Sequence, residues 1–200
     1  MNVLIVGKTK MSGNFRCIGG LLPNGKSVRL IKPHGQWDTS SKFDIGDIWD
    51  IEFTQITELV APHTEDVMVT KRSYVKDQEQ LTQRILSSIT PWRGGIDQVF
   101  GGQLEFTGNS NGYISHAGGV PNYSTWFWVP DRDLTLRADG KHYDYPGVYS
   151  DKGMSYVGEP DAIPVIPAGR LVRISLARWW KPQGIDNLEE RCYLQLSGWF

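Results

Sequence analysis

Short alternating strands separated by glycine-bearing turns run through nearly the whole sequence, and only one segment carries the apolar spacing of a helix. A doubly wound fold needs a helix between successive strands, so this pattern points instead to small β-barrels. Residues 3–6 and 17–22 are compact apolar runs. Pro23-Asn24-Gly25-Lys26 follows the second run, and its Asn-Gly pair predicts a type I′ hairpin. In the next strand, alternation sets Val28, Leu30 and Lys32 on one face and Arg29 and Ile31 on the other. In residues 45–53, Trp49, Ile51 and Phe53 share the core face while Asp50 and Glu52 face out. Residues 66–70 read as a further short strand, so a first all-β unit ends near residue 72.

The helix is expected at about 78–90. Asp77 is its N-cap and Gln80 the capping-box partner three positions on. Leu81, Ile85, Leu86 and Ile89 form the apolar stripe, and Pro91 ends it. Such a helix packs over one end of a barrel as a plug or a bridge. Strands then resume at 112–116, 124–129 and 169–176, with Asp139-Gly140 joining 134–138 to 141–145 as a hairpin. Residues 191–200 form a last strand whose Trp199-Phe200 end is expected to be tied into a sheet. Gly46-Asp47-Ile48-Trp49-Asp50-Ile51-Glu52-Phe53 and Gly169-Arg170-Leu171-Val172-Arg173-Ile174-Ser175-Leu176 share a glycine followed by the same alternation, a faint echo of duplication. Two domains are expected: 1–90, a first barrel with its helix, and 91–200, a second barrel.

Two hundred residues can bury the cores of two small domains without staples. No apolar run reaches the roughly 18 residues of a membrane span. Met1 leads straight into strand-like sequence with no basic leader, so a cytoplasmic protein is expected. Cys17 and Cys192 are too far apart for metal-ligand spacing and read as buried thiols; no metal or other cofactor is expected.

The net charge of −1 conceals an uneven distribution. Residues 1–37 carry Lys8, Lys10, Arg16, Lys26, Arg29 and Lys32 with no acid, residues 38–66 hold eight acids against Lys42, and residues 162–185 again lack acids. Local potential follows these segments rather than the total, unless the sheet lays basic and acidic stretches side by side.

Val3-Leu4-Ile5-Val6-Gly7-Lys8-Thr9-Lys10-Met11, Cys17-Ile18-Gly19-Gly20-Leu21-Leu22 and Ser27-Val28-Arg29-Leu30 resemble the opening of the dual OB-containing domain family. Residues 46–53, Pro62-His63-Thr64-Glu65-Asp66-Val67, Leu176-Ala177-Arg178-Trp179-Trp180-Lys181-Pro182 and residues 190–199 continue the resemblance, with 141–165 least covered. The resemblance implies two OB-fold-like barrels in a bacterial protein, and with the pattern above a mostly β chain of two such barrels bridged by one helix is expected. It also implies nucleic-acid binding, in a prokaryotic defence setting. It brings no assigned binding residues.

The binding candidates therefore rest on chemistry. Single-stranded nucleic acid is held by cations along its backbone and aromatic faces under its bases. Arg178-Trp179-Trp180-Lys181, with Arg173 upstream, offers both; on a strand the two indoles point to opposite faces, so one at most joins a platform. An OB fold binds oligonucleotides through its second and third strands and neighbouring loops. That makes Lys10, Arg16, Arg29, Lys32 and His34 phosphate contacts and Trp37 a stacking ring. Trp126-Phe127-Trp128, apolar on both faces, reads as core packing.

Enzymatic readings are weaker. His63, Glu65 and Asp66 supply a base and two acids, which would serve a hydrolase or sensor of a nucleotide-like small molecule, although neighbours on a strand alternate faces. Asp131 and Asp133 suggest a metal pair without the further oxygens a divalent ion needs. No nucleophile motif or phosphate loop is present. A non-catalytic nucleic-acid-binding module is expected, the rival being a module that docks a partner protein.

Overall fold

The structure, a computed structural model, describes residues 1–184 and 188–200. It divides into a first unit of residues 1–60, 64–90 and Phe200, and a second of residues 61–63 and 91–199.

In the first unit β1 (Asn2–Lys10) serves two neighbours: its start pairs with β5 (Asp47–Gln55) and the rest with β2 (Phe15–Leu21). β2 pairs with β3 (Ser27–Ile31), β3 runs parallel to β6 (Asp66–Asp77), and β6 returns antiparallel to β5. The ring β1-β2-β3-β6-β5-β1 is a closed five-stranded Greek-key barrel, the OB arrangement. β4 (Trp37–Asp38) adds to the edge of β2. Alternation fills the interior with Val3, Ile5, Ile18, Val28, Leu30, Trp49, Ile51, Val67 and Val69.

Three local expectations are corrected. The Asn24-Gly25 turn is not type I′: Gly25 N–H donates to the Leu22 carbonyl, and only Gly25 has positive φ, at +81°. Pro23, with φ fixed near −65°, opens a type I turn, and Gly25 takes the left-handed position after it. Asp77 is not an N-cap, because β6 continues through it, paired with Asp47. The helix α1 (Leu81–Ser88) starts instead from Gln80 in left-handed geometry with no side-chain cap. Its Ile85 and Ile89 are buried in the first unit, whereas Leu86 is exposed. The first β unit thus runs past residue 72 to Asp77.

The second unit begins with β7 (Trp92–Gly94), a 3₁₀ helix (Ile96–Gly102), β8 (Glu105–Phe106) and β9 (Gly112–Ser115). There follow β10 (Thr125–Pro130), β11 (Leu134–Leu136), β12 (His142–Tyr145), β13 (Lys152–Tyr156), β14 (Val165–Ile166), β15 (Val172–Leu176) and β16 (Arg191–Trp199). The strand order repeats the first barrel. β10 pairs with β15, β15 with β16, β16 lies parallel to β13, and β13 pairs with β12. What β1 does as one strand is here divided: β10 pairs with β15, the chain bends at 131–133, and β11 pairs with β12. The covalent chain rather than a ladder of hydrogen bonds completes the circuit, leaving a half-barrel sheet.

The two echoing octapeptides fall on equivalent strands, β5 and β15. Gly46 N–H donates to the Ile5 carbonyl at 2.9 Å and Gly169 N–H to the Pro130 carbonyl at 2.8 Å, each tying the fourth strand of its unit to the first. Both have positive φ, +102° and +80°, where a side chain would be strained. Phe127 and Trp128 are fully buried, and Trp126 lies half-buried beside Trp92 and Tyr123. The C-terminal strand β16 is central, paired with β15, β13 and β9. Cys17 and Cys192 are free thiols. No helix among the described residues is long and apolar enough to cross a membrane.

Candidate nucleic-acid interface

Register gathers one end of the first barrel. Lys10 faces Arg16 across β1 and β2, Arg16 faces Trp37 of β4, and Lys32 follows directly on β3. At the same end β6 sets Arg72 opposite Ile51 and Tyr74 opposite Trp49. Lys10, Lys32 and His34 are exposed and Arg16 is partly so. Phe15, next to Arg16, exposes 43% of its surface.

Trp37 is not the stacking ring of this end. It is only 7% exposed, its Nε1–H donates to the Leu30 carbonyl at 2.7 Å, and its ring packs edge-on against Phe43 at 5.1 Å. Pairing of β4 with β2 turns the indole inward. The Arg72 guanidinium lies over it at 4.4 Å, over Phe43 at 4.7 Å and over Trp49 at 5.7 Å. Burial against these rings pushes the Arg72 pKa down. Lys8 is buried and paired with Asp44 at 3.0 Å.

Arg29 faces Asp66 on β6 and forms an ion pair with it. Burial pushes the Asp66 carboxyl up and Arg29 pulls it back, so this guanidinium serves the fold first.

In the second unit, residues 177–184 follow the fourth strand, on the way to the fifth, where OB folds carry one of the two loops with which they grip oligonucleotides. Trp179 is half-buried: its Nε1–H donates to the Ala61 carbonyl at 2.8 Å and its ring stacks on His116. Trp180 is 53% exposed, its backbone exchanging hydrogen bonds with Arg191 at 3.0 and 2.9 Å. Its indole stands edge-on to Tyr193 at 6.0 Å. Arg191 covers Tyr113 at 4.0 Å. Arg178 and Lys181 are exposed on either side of the tryptophan pair. Arg173 is corrected to a core residue: β15 lies between β10 and β16, and the buried guanidinium donates to Ser197 Oγ at 3.0 Å.

The catalytic candidates His63, Glu65 and Asp66 are buried side chains. The buried His63 sets Nε2 3.2 Å from the Leu176 carbonyl, the Glu65 side chain is buried, and Asp66 is held by Arg29. Asp131 accepts from Tyr145 and Asp133 from the Ala168 N–H. Among the described residues, no three His, Cys, Asp or Glu side chains form a group that could hold a metal ion.

Phe15, Arg72 and Tyr74 escape the sequence reading. The alternation of Arg72 and Tyr74 with Lys71, Ser73 and Val75 was the available signal that the strand continues past residue 70.

No curated protein and no solved structure matches the chain. A family model does, that of the Dual OB-containing domain, over residues 1–199. Five strands in OB order, closed in one unit and repeated with a broken first strand in the other, are what that description names: the chain belongs to the dual OB-containing domain family.

Proposed function

We propose that this chain is a non-catalytic module that binds single-stranded nucleic acid. The observation that carries the reading is the exposed Trp180 between Arg178 and Lys181, in the loop joining the fourth and fifth strands of an OB unit. The cationic end of the first barrel, with Lys10, Arg16, Lys32 and His34 around an exposed Phe15, supports it. A role in prokaryotic defence rests on the family resemblance alone. Titrating labelled single-stranded and duplex DNA and RNA tests the reading between about 50 and 200 mM salt, where phosphate-driven affinity falls steeply. Tighter binding of a single strand than of its duplex is expected; no binding of any of them at micromolar protein overturns it.

One observation favours a protein partner as well. Val148 and Tyr149, between β12 and β13, are 82% and 101% exposed, and the turn carrying them is braced by Arg132 donating to the Pro146 carbonyl at 2.9 Å. Loss of a co-purifying partner from Tyr149→Ser, with nucleic-acid affinity unchanged, would support that role; unchanged association would remove it.

A further inference from the structure

Two cations at the end of the first barrel reach the same indole. Arg72 Cζ lies 4.4 Å from the Trp37 ring centroid and Lys32 Nζ 6.0 Å from it. Both cations thus border one ring, and cations on folded proteins are commonly matched by carboxylates. Here the nearby acids serve other donors. Asp44 holds Lys8, Asp47 accepts from Trp49 Nε1–H and from the Asp44 N–H, and Asp77 accepts from the Tyr74 hydroxyl. Asp38 attracts Lys32 through space, yet its carboxyl is bonded to Ser40, whose hydroxyl and N–H hold its pKa down. Among the described residues, neither Lys32 nor Arg72 is in an ion pair with a carboxylate. Arg72 is also packed beside three rings, so less conformational entropy remains to be lost when its N–H edge meets an anion.

Among the described residues, the equivalent end of the second unit is built differently. Where Tyr74 faces Trp49 in the first unit, Trp199 faces Val172 in the second, packed on Tyr156 at 5.3 Å. Tyr156 in turn meets Tyr143 at 5.7 Å. There Arg137 is bidentate to Asp144, and the His142 ring is hydrogen-bonded to Asp139 at 2.6 Å. That end of the second unit is sealed by aromatic rings, whereas Lys32 and Arg72 border Trp37 outside any carboxylate ion pair.

We propose that Lys32 and Arg72 form a phosphate subsite at the end of the first barrel, taking backbone phosphate of a single strand, with the half-exposed Tyr74 ring beside it. The proposal rests on the nucleic-acid reading and deepens it by assigning phosphate contact to a side chain that also caps the core.

The test uses the full chain and a labelled 12-nucleotide single strand, with the affinity measured across a salt series. Lys32→Gln and Arg72→Gln should each make the slope of log K against log salt shallower by about 0.7, with the double variant losing about 1.4. Lys26→Gln, neutralising an exposed cation at the far hairpin, should leave the slope as it is. Glutamine at 72 keeps a planar amide on the rings, and Lys32 is exposed, so Lys32→Gln remains informative if Arg72→Gln folds poorly. Wild-type slopes in both variants overturn the subsite while leaving the broader reading intact. A wild-type chain that binds no oligonucleotide overturns the broader reading and the backbone-phosphate assignment together. Titration with pyrophosphate, followed through the Arg72 Nε–H resonance, separates the ligand sources. Saturable shifts lost in Lys32→Gln, alongside oligonucleotide binding, support the site; shifts without oligonucleotide binding reduce it to a free-phosphate site and overturn the strand assignment.

Discussion

The ring of His116 lies flat on the indole of Trp179, centroids 4.0 Å apart and planes 8° from parallel. With the Nε1–H bond to Ala61, the stack fixes Trp179 as a structural residue and leaves its neighbour Trp180 to the solvent. Adjacent positions in one aromatic pair therefore carry different work. Trp179→Ala should destabilise the second unit by about 2–3 kcal/mol, less than a fully buried tryptophan, read as a lower urea midpoint. Trp180→Ala should leave that midpoint in place and weaken single-strand binding roughly 5- to 150-fold, the range for losing one stacked base. Equal loss of stability in both variants would contradict this division.

Gly25 holds α1 close to the hairpin at the end of the first barrel. A Cβ there would come within 2.2 Å of the Ser88 carbonyl oxygen, on a backbone already at φ +81°. Gly13 is left-handed too, at +67°, but a Cβ would meet nothing within 4 Å. Gly13→Ala should cost about 1 kcal/mol, the strain of left-handed backbone alone. Gly25→Ala should cost clearly more, because the helix end must also shift. Thermal melts of the two variants give the comparison directly.

Binary patterning made the barrels legible. Trp49, Ile51 and Phe53 alternate with charged residues, and a half-buried strand is the simplest structure that separates them. The echo between residues 46–53 and 169–176 marked equivalent strands because a left-handed glycine must precede each. Local rules failed where tertiary pairing outweighed them. Asp77 has the chemistry of a cap, yet twelve residues of ladder with β5 and β3 hold it in a strand. Trp37 sits beside cations in sequence, but the inward-facing hydrogen bond to Leu30 is a long-range fact that no spacing announces. The same applies to Arg29 and Arg173, whose partners Asp66 and Ser197 are distant in sequence. A cation can be read from sequence; whether it is already taken cannot.

Arg29 supplies a test of that distinction. It is one partner of a largely buried ion pair, its side chain 24% exposed and that of Asp66 9%. Removing the guanidinium takes its charge from beside a buried carboxylate, so Arg29→Gln should lower stability by about 3 kcal/mol, discounted toward the low end for partial solvent screening. The salt slope of nucleic-acid binding should not change. A shallower slope with unaltered stability would return Arg29 to the interface.

Cys192 gives a pH signature of the second core. Burial pushes its thiol from 9.0 up to about 12, with the charge of Glu190 adding to the shift. The folded state then keeps the proton while the unfolded chain releases it, so stability falls as pH rises. The contribution is fully present below the ordinary thiol value of about 9 and is lost as pH climbs through about 12. Urea midpoints measured from pH 7 to 10.5 should therefore decline more steeply in the wild-type chain than in Cys192→Ala, even though the variant starts lower from the cavity it creates. Parallel declines would show that the thiol titrates alike in both states and that the β9–β16 core admits water.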